Sequence, residues 1–199
     1  MESQLTILLP VAAVWLAAGV VADGLPRLRN TRMLHRRAGW LLVLTLTGVA
    51  LTAAVLGAGL LSAGTAPVDQ AAAGLTLVAG PALVAAVCSV RRIRRLRAGA
   101  GAFASAPATP APHGLRAAAA HPLVGLPLQV TALTTVPAVI AAVGTDLGAD
   151  PGVTGPAITV GALAVVAIGV RHALRHSRFA ERAHPQTPGS ARATDPLHI

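Results

Sequence analysis

Five arginines fall within seven residues at 91–97, in the run RRIRRLR, and uncharged apolar stretches lie on both sides of it. A guanidinium is expelled from hydrocarbon, whereas an apolar run of about 20 residues crosses it, so the cluster must stay on one face of a bilayer while its flanks span. This constraint divides the chain into a three-span half at 1–90 and a two-span hairpin at 121–171. The segment between them, 91–120, reads as a basic and then low-complexity connection; 172–199 reads as a basic, largely disordered tail that starts as a helical extension. The expected fold is all-α: a polytopic membrane protein with transmembrane helices at about 5–22, 39–63, 71–90, 123–143 and 153–170.

Composition agrees. Of the 199 residues, 54% are hydrophobic and 12% are charged, with a mean hydropathy of +0.66. A soluble domain carries about 25% charged residues. The net charge of +9 invites a nucleic-acid reading. However, the arginines adjoin apolar spans and aromatic residues make up only 2% of the chain, so interleaved stacking residues are missing and a membrane surface is the better partner. All sixteen basic residues are arginine, a choice that GC-rich coding produces without selection on function. The lone Cys88 excludes an internal disulfide and a cysteine-only metal cluster.

Charge placement sets the expected orientation. Every arginine falls in 27–37, 91–116 or 171–192, while the alternate connections at 64–70 and 144–152 hold only Asp69, Asp146 and Asp150 as charges. The positive-inside rule then puts the N-terminus outside, the C-terminus inside and the protein in the cell membrane. The reverse would export each arginine against roughly 2 kcal/mol per charge per 100 mV. The first span reads as uncleaved, since Glu2 and no arginine precedes it. Trp40 at the basic end of the second span suits a headgroup anchor, and Pro81 in the third predicts a kink. Small residues such as Gly48, Gly57, Gly59 and Gly161 are expected at helix contacts, with the first span added to a four-helix core.

Four groups of residues are candidate sites. His35 and Gly39 open span two as His121 and Gly125 open span four, with Thr45 and Thr131 at matching offsets. This HxxxG opening resembles that of membrane b-type cytochromes, and the resemblance implies haem b held by His35 and His121. It is confined to these two short patterns; Arg36 and Arg37 follow His35, and no histidine lies deeper in a span. His172 and His176, at i and i+4, share a helical face as metal ligands would, though Arg171, Arg175 and Arg178 surround them. Arg91, Arg92, Arg94, Arg95 and Arg97, with Arg171, Arg175 and Arg178, suit anionic lipid headgroups. Finally, Gln129, Thr131, Thr134 and Thr135 in span four, beside Thr45, Thr47 and Thr52 in span two, could line a solute path or bond helices together.

No carboxylate or histidine occurs mid-span, and the HExxH, GxSxG and phosphate-loop patterns are missing. The sequence therefore points to a non-enzymatic scaffold or accessory subunit without a cofactor, its partners being the bilayer and either a second copy or another membrane protein. A haem-binding electron-transfer protein and a small-solute permease are the alternatives.

Overall fold

The computed structural model describes residues 2–62, 64, 66–103, 110–144 and 151–183. These are helical almost throughout, with no strand among the described residues. Five helical stretches are long and apolar enough to cross a membrane. They are built from α1 (Glu2–Gly24), α2 (Thr31–Leu61), α3 (Pro67–Gly74), α4 (Thr76–Val84), α5 (Val90–Ala102), α6 (His113–Ala119), α7 (Pro122–Ala142) and α8 (Pro151–Ala183).

The first helix belongs to the interior of the bundle beside α7, which corrects the expectation that it is an addition. Val11, Trp15, Ala18 and Ala22 form a stripe along α1 that is at most 2% exposed. Its largest interface is with α7, followed by α2. Small side chains on this stripe let α7 come close: a Cβ built at Gly19 would touch Gln129 at 3.4 Å. The indole of Trp15 fills the space left by Gly48 of α2, where an added Cβ would stand 2.9 Å from the ring. Its Nε1–H donates to Thr52 Oγ1 at 3.0 Å, and that hydroxyl donates to the Gly48 carbonyl at 2.8 Å. A buried aromatic thus has its one polar group satisfied inside the bundle.

The peripheral helix is α8. Only 6% of its most apolar stretch is buried, against 28–44% for the other four. It touches α6 and α7 and leaves Ile158, Val160, Leu163 and Val166 more than 60% exposed. Two of the expected contact glycines differ from the rest. Gly59 meets Ala72, but nothing lies within 4 Å of a Cβ at Gly57 or Gly161.

The third span is assembled from pieces. Asp69 starts α3 by accepting from the Ala66 N–H at 2.8 Å, and the Ser62 hydroxyl donates to the same carboxylate. Leu75 separates α3 from α4, Pro81 lies inside α4, and a π turn at Ala85–Ser89 leads into α5. The irregular backbone therefore lies on both sides of the proline and not at one kink. The π turn presents the buried Ser89, whose hydroxyl donates to the Leu123 carbonyl of α7 at 2.8 Å. That carbonyl needs a donor, because the residue four places on is Pro127, which has no N–H.

The arginine run 91–97 continues the helix, with Ile93, Leu96 and Ala100 buried against its neighbours and Arg91, Arg94, Arg95 and Arg97 exposed. Part of the connection expected to lack a core is therefore ordered. Helix α5 reaches Ala102 and α6 occupies His113–Ala119, since alanines at 100, 117, 119 and 120 are small enough to pack beneath the bundle. The expected low-complexity stretch at 104–109, the acidic link at 145–150 and the tail at 184–199 lie outside the described residues.

Candidate functional site

The arginine-bearing segments meet at one end of the bundle. Asn30 caps α2 by accepting from Arg32 N–H at 2.8 Å, and the adjoining Arg29 carbonyl accepts from Ala111 N–H at 2.6 Å. His35 Nδ1–H donates to the Arg97 carbonyl at 3.0 Å. Arg116 reaches the Pro26 carbonyl at 3.4 Å while its guanidinium lies 4.9 Å above the Phe179 ring. The opposite end is closed by Ser62 on Asp69 and by left-handed glycines, Gly64 at φ 85° and Gly144 at φ 94°, where a side chain would be strained.

Asp23 is the hub of the basic end. Standing at the foot of α1, it accepts from Arg27 one turn on at 3.2 Å, from Arg175 of α8 at 2.5 Å, and from Arg171 of α8. One carboxylate thus ties the peripheral helix to α1. A second tie runs parallel: His172 Nε2–H donates to Gln129 Oε1 at 3.0 Å, and Gln129 Nε2–H donates to the Gly19 carbonyl at 3.4 Å. The chain His172, Gln129, Gly19 joins α8 to α7 to α1. The expected polar face of span four is accordingly used for packing: Thr131 and Thr135 are buried and bond within their own helix, to Pro127 and Ala132 carbonyls, both at 2.6 Å.

The histidines are distributed differently from their sequence pairing. His172 and His176 share a face of α8, but His172 lies against Gly125, where an added Cβ would run into its ring, and His176 lies against His121 with ring centroids 4.9 Å apart. His176 Nδ1–H also donates to the Ala117 carbonyl at 3.3 Å. His121 caps α7, its Nδ1 accepting from Leu123 N–H at 3.2 Å. His35 packs instead on α5, beside Gly101. The glycine of the second HxxxG opening therefore admits an imidazole from α8. Among the described residues, no three histidine, cysteine or acidic side chains come together to hold a metal.

No protein family, curated protein or solved structure matches the chain. Its chemistry must be read from the residues themselves.

Beside the Asp23 hub lies a cleft of about 650 Å³ lined from α1, α2, α7 and α8. Leu16, Val20, Leu133, Val136 and Ile168 wall it, and Arg27, Arg37 and Arg171 stand with Asp23 among its lining residues. Sequence reasoning placed Arg171 in the headgroup set but missed Arg37, Asp23 and the cleft. The only local signal was an acidic residue at the end of a span, four positions before an arginine.

Proposed function

We infer that this is a small integral membrane protein of the cell membrane that acts as a scaffold or accessory subunit. Its N-terminus lies outside and its C-terminus inside. The observation that carries the reading is the exposure of α8: a helix with four large apolar residues more than 60% exposed is built to face lipid or another transmembrane helix. The sixteen arginines support the orientation, because the described ones converge on one end of the bundle and suit the inner leaflet. Trp40, 61% exposed beside that end, suits the headgroup layer.

Within the apolar layer, the polar side chains serve packing. Trp15 with Thr52, Ser89 with Leu123, and Gln129 with Gly19 each join one helix to another. A photocrosslinking side chain placed at Leu163 or Val166 tests the reading in native membranes. A discrete crosslinked protein band, either a dimer or a defined larger species, is expected from α8, with none from an equivalent probe at buried Val11. Lipid adducts alone at all α8 positions would contradict it.

A further inference from the structure

We propose that the cleft lined from α1, α2, α7 and α8 is a binding site for one anionic phospholipid, its phosphate held by Arg27, Arg37 and Arg171. The proposal rests on the membrane reading given above and names a ligand for that protein. Two properties of the cleft define the ligand. Its charged part holds three arginines against the single carboxylate of Asp23, an excess of two positive charges. That carboxylate is also shared with Arg175, so it cannot neutralise the group. Arg27 and Arg171 keep 68% and 45% of their side-chain surface open, and each guanidinium has donors beyond those Asp23 accepts.

Apart from Gln129, whose amide is bonded to Gly19 and His172, the remaining wall is apolar. Leu16 lies seven residues before Asp23 on α1, about 10 Å along the helix. Val20 falls between them, and Leu133, Val136 and Ile168 line the cleft from α7 and α8. An inorganic phosphate would leave this wall uncovered, and a plain hydrocarbon would leave the arginines without a counter-charge. A phosphodiester bearing acyl chains satisfies both. The excess charge favours a headgroup without an ammonium, so phosphatidylglycerol fits and phosphatidylcholine does not.

The site differs from a diffuse attraction of the arginine-rich surface because its three arginines come from three separate elements, the turn Leu25–Arg27, α2 and α8, and converge on one cavity. The run 91–97 lies on α5 and supplies none of the lining residues.

The test is native mass spectrometry of the full chain, delipidated in neutral detergent and titrated with phosphatidylglycerol or phosphatidylcholine. One phosphatidylglycerol should bind at least about tenfold more tightly than phosphatidylcholine. Arg27→Gln with Arg37→Gln should weaken it by about tenfold or more, while Arg91→Gln with Arg94→Gln leaves it unchanged. Val20→Trp, which keeps every charge but fills the wall, should also weaken it. Equal loss in the two arginine pairs would overturn the site in favour of surface charge. Displacement of the lipid by glycerol phosphate at comparable concentration would overturn the part assigned to the acyl chains. A chain that integrates into membranes yet holds no phosphatidylglycerol defeats this proposal alone, whereas one soluble without detergent defeats the membrane reading with it.

Discussion

At the level of single residues, close packing against glycine decides which substitutions the bundle tolerates. Gly48 and Gly57 occupy the same helix, but only Gly48 has an indole against it. Gly48→Ala must move a fully buried tryptophan and should cost about 1–3 kcal/mol, read as a lower melting temperature in a fixed detergent. Gly57→Ala meets nothing within 4 Å and, by adding up to about 1 kcal/mol of helix propensity, should not lower it. Equal melting temperatures for the two variants would show that Trp15 does not lock α1 to α2. These partners could not be paired from sequence, because Trp15 and Gly48 lie on different helices and every glycine in an apolar run looks alike. The histidines show the same limit. The i, i+4 spacing of His172 and His176 correctly puts them on one face of a helix, but what each ring meets depends on α6 and α7.

At the level of helices, proline in α7 is matched by a hydroxyl on the third span. Ser89 supplies the donor that Pro127 withholds from the Leu123 carbonyl. Ser89→Ala should therefore cost about 1–2 kcal/mol by leaving that carbonyl unpaired. In a Pro127→Ala background the helix can supply its own N–H, and Ser89→Ala should then cost little. A double-mutant cycle of unfolding free energies measures this coupling, and additivity of the two substitutions would contradict it. The spans were legible here because apolar runs bounded by arginine have few other outcomes. Their ends were less so: α5 and α8 run on past the apolar residues, since a helix that leaves the membrane continues wherever its inner face still packs, as at Ile93 and Leu96 or at His172. The π turn at Ala85–Ser89 left no periodic trace, because the residues around it are nearly all small or apolar.

At the level of the whole molecule, the order of burial was hidden. In a soluble bundle, polar residues mark the outside of each helix; in lipid, inner and outer faces are equally apolar, so the interior α1 and the peripheral α8 are both strongly apolar. The clustering of charge, in contrast, was legible, although its pairing on Asp23 was not. The segments bearing Arg27, Arg97, Arg116 and Arg171 were assigned to one side from sequence, and the fold brings them together through Asp23, His35 and Phe179. The central requirement is that this side faces the cytoplasm. Single cysteines placed at Ala66 and at the exposed Ala98 in a Cys88→Ser background, probed on intact cells with a membrane-impermeant maleimide, test it most directly. Labelling at 66 without permeabilisation, and at 98 only after it, is the predicted result; labelling at 98 on intact cells would contradict it.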